Sequence, residues 1–209
     1  MLAAMSRWAE LTGGRSGEQY AARFAELAES GKDVHGEARF CAALREPGAS
    51  VLDAGCGTGR VAIWLAAQGY DCVGVDIDPS MLAVARREAP ELPWFAVDLA
   101  ELSLDRIDRA EGFDIVVAAG NIIPLVAAGT EPAVVRNLAS MLRPDGLLIA
   151  GFGLDAAHLP LSSASTTLAD YDRWCAAAGL RLSERFGTWD GAPYDGGGYA
   201  VSVHQPSRH

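Results

Sequence analysis

The sequence predicts an α/β protein: a doubly wound, mostly parallel sheet of seven strands, the last one antiparallel, with helices on both faces and an N-terminal helical lid. Three observations predict it. Short apolar runs alternate with helix-length segments from Ser50 to Phe152. The first three of these runs each finish on an acid: Asp53, Asp76 and Asp98, at intervals of 23 and 22 residues. The two final runs, Arg181 to Trp189 and Tyr199 to His204, are separated by loop chemistry rather than a helix, so they form an antiparallel hairpin.

In chain order, residues 1–16 read as a loose lead-in around Gly13 and Gly14. From Glu18 the pattern is helical, with Tyr20, Phe24 and Leu27 on one face and Gly31 as the stop. Asp33 is placed to cap a second helix through Leu44, ended by Pro47. These two helices either fold over the following glycine loop as a lid or form a plain packing hairpin. Strands then fall at Val51–Asp53, Asp71–Asp76, Trp94–Asp98, Phe113–Ala119 and Gly146–Phe152. Helices connect them from Val61 to Ala67, from Pro79 (capped by Asp78) to Arg87, and over 131–142. Thr167, with Asp170 three residues on, starts the last helix, and Gly179 stops it.

A chain of 209 residues with 50% hydrophobic content forms one domain over 1–209. It divides into an N-terminal helical extension or lid (1–47), a cofactor-binding core (48–152) and a C-terminal helix with the hairpin (153–209). No run is apolar and long enough to span a bilayer, and Met1 to Glu10 lacks a signal-peptide core, so a cytoplasmic protein without membrane attachment is expected. Cys41, Cys56, Cys72 and Cys175 form no CxxC pair, which points to reduced, buried thiols and no metal site. With 27 acidic against 17 basic residues, the net charge of −10 repels a phosphate backbone. The expected partner is a small molecule, not nucleic acid; the oligomeric state is left open.

The centre of the sequence is Val51-Leu-Asp-Ala-Gly-Cys-Gly-Thr-Gly-Arg60. Glycines at every second position let a ligand approach backbone N–H groups, and the helix that follows presents the positive end of its dipole. The dinucleotide fingerprint, Gly-x-Gly-x-x-Gly, requires glycine where this chain has Arg60. The three strand-end acids lie at the carboxyl edge of the sheet, where ligands bind.

These features resemble the class I S-adenosylmethionine-dependent methyltransferases. The resemblance rests on the glycine stretch, Gly74-Val-Asp-Ile-Asp-Pro-Ser-Met-Leu82, Val97-Asp98, Phe113-Asp-Ile-Val-Val117 and Leu142-Arg-Pro-Asp-Gly-Leu-Leu-Ile149, in the family's order over about residues 50–150. It implies a Rossmann-like fold and S-adenosyl-L-methionine as cofactor, with S-adenosyl-L-homocysteine as product. It implies Asp53 near the cationic methionyl end, and the Ala54, Gly55, Gly57 and Gly59 loop against the methionine portion. Asp76 takes the ribose hydroxyls, Ile77 and Met81 flank the adenine, and Asp98 with the Leu99 backbone reads its edge. Ala119 passes beneath the cofactor. Two of these have packing alternatives: Met81 as helix core and Asp98 as a turn cap.

Arg23, one helical turn from Tyr20, is a candidate clamp for the cofactor's carboxylate, or else an ordinary solvent-facing arginine. His35 and His158 are candidate general bases, and Asn121, after the fourth strand, a candidate for orienting an acceptor. Trp189, Tyr194 and Tyr199 either wall an apolar substrate or pack the sheet edge. The Gly120-Asn-Ile-Ile-Pro124 segment is not the Asn/Asp-Pro-Pro-Tyr type associated with methylation of bases or glutamine. The expected activity is direct methyl transfer to O or N of a small molecule. The alternatives are a non-catalytic cofactor-binding regulatory module and a nicotinamide-dependent oxidoreductase, the latter disfavoured by Arg60.

Overall fold

In the computed structural model, which describes residues 6–13 and 17–207, seven strands form one sheet. They are β1 (Ser50–Ala54), β2 (Asp71–Asp76), β3 (Trp94–Ala96), β4 (Phe113–Ala118), β5 (Leu142–Gly153), β6 (Leu180–Phe186) and β7 (Tyr199–Pro206), in the order β3-β2-β1-β4-β5-β7-β6. All neighbours from β3 to β5 are parallel; β7 runs antiparallel to both β5 and β6. The chain winds outward through β2 and β3, then returns to place β4 on the other side of β1. This reversal opens a crevice at the carboxyl ends of β1 and β4.

The period-two alternation of each strand splits the core in two. Leu52, Val73, Val116 and Leu148 face helices α7 (Glu131–Ser140) and α8 (Leu168–Ala177) through Val134, Leu138 and Tyr171. Val51, Cys72, Ile115 and Ile149 face the opposite layer: α3 (Gly36–Ala42), α4 (Arg60–Ala67) and α5 (Pro79–Glu88). Two further helices, α1 (Arg7–Thr12) and α2 (Gly17–Glu29), lie ahead of this layer, and α6 (Ile122–Leu125) is a single turn after β4. Asp78 caps α5 through the Ser80 N–H, with Pro79 at its first position, and Thr167 caps α8 through the Asp170 N–H.

Several boundaries differ from the sequence expectation, each for a local reason. The lead-in contains α1: Ser6 Oγ accepts the Ala9 N–H at 3.1 Å, and Gly13, at φ 64°, ends the helix. Asp33 does not cap α3; its carboxylate accepts the His35 N–H at 2.9 Å and pairs with Arg39, so the helix begins later, at Gly36. β3 stops at Ala96, short of Asp98, because Asp98 turns the chain into a 3-10 turn over Leu99–Glu101 by accepting the Ala100 N–H. β6 ends at Phe186, and Trp189 leaves the ladder to pack on Phe40, ring centroids 5.5 Å apart.

Candidate active site

Gly55, Gly57 and Gly59 have φ of 77°, 54° and 82°, the left-handed region that glycine alone enters without strain. Gly59 is required for a second reason. A Cβ there would lie 2.5 Å from the Trp94 ring, which packs under the loop. The loop is held from beneath by β2. The Gly55 and Cys56 N–H groups donate to the Val75 carbonyl at 2.8 and 3.0 Å. The Gly57 N–H donates to Asp76 Oδ2 at 2.8 Å, while Asp76 Oδ1 accepts the Asp78 N–H at 2.8 Å. One carboxylate therefore ties the glycine loop to the start of α5. A carboxylate has about four lone-pair positions, so both oxygens keep acceptor capacity toward the crevice.

Asp53 is 2% exposed and accepts the Ala62 N–H, in the first turn of α4, at 3.1 Å. Burial pushes its carboxyl up to about 7, against the smaller lowering effect of that hydrogen bond and of Arg60. Burial also raises Asp76. A cation or hydrogen-bond donors brought beside either acid would favour its ionised form and lower it again.

The crevice has two lobes. The larger encloses about 750 Å³ including its mouth, within the range of small-ligand sites. Asp76, Ile77, Met81, Asp98 and Leu99 line one side and Ala119, Gly120, Ile122 and Leu125 the other. Ile77 is 43% exposed, a large apolar side chain held open on the wall, whereas Met81 is buried with one side facing the cavity. The smaller lobe, about 320 Å³, is lined by Asp53, Thr58, Arg60 and Val61. Tyr20, Gly55, Ala119 and Gly120 border both, so the lobes meet at the end of β4.

The N-terminal helices cover this crevice. Trp8 Nε1 donates to Asp78 Oδ2 at 3.2 Å, and the Gly17 N–H donates to Ser80 Oγ at 3.2 Å, fastening one side to the head of α5. Arg7 fastens the other side, through Glu131 at 2.9 Å and the carbonyls of Pro124 and Val126. Trp8 packs edge-on against Tyr20, which packs on Phe24. From below, Arg60 forks onto Glu37 at 2.8 and 2.6 Å, donates to the Val34 carbonyl, and places its guanidinium 4.6 Å from the Phe24 ring centroid. Ser6, Trp8, Glu37 and Ile122 were not among the expected site residues. Arg60 was expected only as evidence against a dinucleotide.

The remaining candidates are divided by the fold. Arg23 is exposed on α2 and lines neither lobe; the arginine bordering the crevice is Arg60. His35 stacks on Trp64 at 6.2 Å on the outer side of Arg60, with burial lowering its basicity. Asn121, at φ 69°, accepts the Gly153 N–H at 2.7 Å and donates to the His158 carbonyl at 3.2 Å, so its amide braces the loop after β5. His158 Nδ1 lies 2.7 Å from Asp155 Oδ1. Trp189 donates to the Tyr199 hydroxyl at 2.9 Å, and the indole covers Gly151 on β5; Tyr194 donates to the Gly197 carbonyl.

A methyltransferase-domain family model matches residues 51–146. The TehB-like SAM-dependent methyltransferase of Corynebacterium glutamicum superposes with a TM-score of 0.80 at 33% identity, over 91% of this chain and 98% of that one. Glycine N-methyltransferase of Rattus norvegicus is 34% identical over 120 residues, 51% of this chain and 41% of that protein. A ubiquinone biosynthesis O-methyltransferase of Bradyrhizobium diazoefficiens is 34% identical over 102 residues, 49% of this chain and 39% of that protein. The chain thus spans about two fifths of the length of these curated relatives. Its glycine loop and the acid at the end of β2 lie within the matched residues, and the chain belongs to the class I S-adenosylmethionine-dependent methyltransferases.

Proposed function

We propose that this chain transfers the methyl group of S-adenosylmethionine to a nitrogen or oxygen of a small molecule. The observation that carries it is the pair of lobes meeting at Tyr20, Gly55, Ala119 and Gly120. In this reading the adenosine occupies the larger lobe. Asp76 accepts the ribose hydroxyls, Ile77 and Met81 meet the adenine faces, and Asp98 and the Leu99 backbone meet its edge. The amino-acid end occupies the smaller lobe, where Asp53 faces its ammonium and Gly55, Gly57 and Ala54 supply backbone. Thr58 and Arg60 take the role first considered for Arg23.

The cofactor supplies an activated methyl on a cationic sulfonium. The chain's own work is alignment and exclusion of water, and alignment alone is worth up to roughly 7–11 kcal/mol. Tyr20 and Trp8 roof the crevice, and Ile122 sits where a Cβ on Gly55 would be, closing the floor against solvent. A small acceptor is supported by that closure and by the net charge of −10, which disfavours nucleic acid. Nitrogen and oxygen as acceptors are supported by relatives of both kinds.

The test is release of S-adenosylhomocysteine by purified protein with a panel of amines, amino sugars, phenols and hydroxy acids. Turnover with at least one panel member, lost on Asp76→Ala, is the expected result. No product from any of them, with the cofactor bound, makes the chain a non-catalytic binding module instead.

A further inference from the structure

The larger lobe has a wall that the adenosine assignment leaves over. Asp76, Ile77, Met81, Asp98 and Leu99, on the segments that follow β2 and β3, account for the adenosine. The rest of the lining comes from Ser6 and Trp8 in the roof and from Ile122, Leu125, Val126 and Ala127, in α6 and the turn after it. The lobe encloses about 750 Å³ with its mouth, within the range that holds a whole drug-sized molecule, so a nucleoside leaves part of it free.

The polar groups of this wall are satisfied within the protein. Arg7 donates to the Pro124 and Val126 carbonyls at 3.0 and 3.3 Å, and its charge is met by Glu131 at 2.9 Å. The Ala127 carbonyl accepts the Thr130 hydroxyl and N–H at 2.7 and 3.0 Å, and the Ile122 carbonyl accepts the Val126 N–H at 3.2 Å. Trp8 Nε1 donates to Asp78, and Ser6 Oγ accepts the Ala9 N–H. The surface left to the lobe is the Trp8 indole and the aliphatic side chains of Ile122, Leu125, Val126 and Ala127. A charged group pressed on it would lose water and gain no hydrogen bond, whereas an apolar ring loses nothing. The neighbouring junction of the lobes has room. Gly120 borders both, and a Cβ there would meet no atom within 4 Å.

Resting on the methyltransferase reading above, we propose that this wall is the acceptor subsite and that it selects an uncharged phenol or arylamine. The ring lies against Trp8, Leu125 and Val126, and its oxygen or nitrogen enters the space over Gly120. There the heteroatom's lone pair forms the bond to the methyl carbon as the carbon–sulfur bond breaks with its electron pair going to sulfur. The acceptor's proton leaves to water. Amino acids and hydroxy acids are rejected, because their carboxylate would lie against hydrocarbon while Arg7 is already held by Glu131. Trp8 is the specificity-determining residue, offering an aromatic face or edge to the acceptor ring.

The test compares 4-methylphenol with 4-hydroxybenzoate, which differ only in a methyl group against a carboxylate. Each is titrated by ligand-observed NMR into the full chain saturated with S-adenosylhomocysteine, so that the cofactor's own surfaces are filled. The expected result is saturable binding of 4-methylphenol, about tenfold or more tighter than 4-hydroxybenzoate and weakened about tenfold or more in Trp8→Ala. No binding of 4-methylphenol to the loaded protein would return the wall to the cofactor and overturn the proposal. Equal or tighter binding of 4-hydroxybenzoate to the wild-type chain, or binding of 4-methylphenol that Trp8→Ala leaves unchanged, also overturns it. Protein that S-adenosylhomocysteine does not saturate fails the methyltransferase reading itself, and this assignment falls with it.

Discussion

The Arg60 guanidinium grips the Glu37 carboxylate through two hydrogen bonds, at 2.8 and 2.6 Å, and so joins the first turn of α4 to α3. Both side chains are mostly buried, 15% and 17% exposed. Removing one partner leaves the other charge underground without compensation. Glu37→Gln is expected to cost about 1–3 kcal/mol in urea denaturation and to weaken S-adenosylhomocysteine binding about tenfold. A loss under about 0.5 kcal/mol with unchanged binding would contradict a structural role for the pair.

Two buried groups act on stability in opposite directions over the same pH range. Burial pushes Asp53 up to about 7, against about 3.9 in an unfolded chain. Between those values the folded state holds the extra proton, so this group's contribution is fully present at low pH and is lost as pH rises through 7. Burial pushes His204 down to about 4, against about 6.5 unfolded. Its contribution is present above 6.5 and is lost as pH falls through 4. Each slope is on the order of 1.4 kcal/mol per pH unit.

The two slopes therefore offset one another between about pH 4.5 and 6.5. Asp53→Asn should leave stability falling on acidification through that window, and His204→Gln should leave it rising. Chemical denaturation of each variant at half-unit pH steps checks both signs. Identical slopes in the two variants would show that these groups do not govern the window.

Gly59→Ala combines a left-handed backbone at φ 82° with a collision against the Trp94 ring. The backbone alone costs roughly 1–2 kcal/mol. A total loss of about 2 kcal/mol or more is expected, read from the denaturation midpoint at constant m-value. Gly57, at φ 54°, has only the Met81 sulfur near a Cβ position, at 3.9 Å. Gly57→Ala should therefore show the backbone cost alone, and equal losses in the two variants would contradict the packing argument.

The core of the fold was legible because its signals are local. Asp78-Pro79, Thr167 with Asp170, and the glycine stretch each specify a turn or cap within a few residues, and each is found as read. The same locality explains the misses. Asp33 has the composition of a cap, yet its partner Arg39 holds it out of that role. α1 is only six residues and owes its place to contacts far along the chain, Trp8 to Asp78 and Arg7 to Glu131. Arg23 and Arg60 are both arginines on amphipathic helices, and only the three-dimensional course of α3 shows that Arg60 turns inward, onto Glu37. Asp98 caps a turn, the packing alternative considered for it, and its side chain also lines the larger lobe.

The most direct measurement is calorimetric titration of S-adenosylhomocysteine into the wild-type chain and into Asp76→Ala and Asp98→Asn. The two-lobed crevice predicts one site per chain and saturable binding. Asp76→Ala should lose binding by two orders of magnitude or more, about 2.7 kcal/mol, while Asp98→Asn, which keeps the turn cap, loses less. Wild-type protein that takes up no S-adenosylhomocysteine, or Asp76→Ala binding it as tightly as wild type, would contradict the assignment of this crevice to the cofactor.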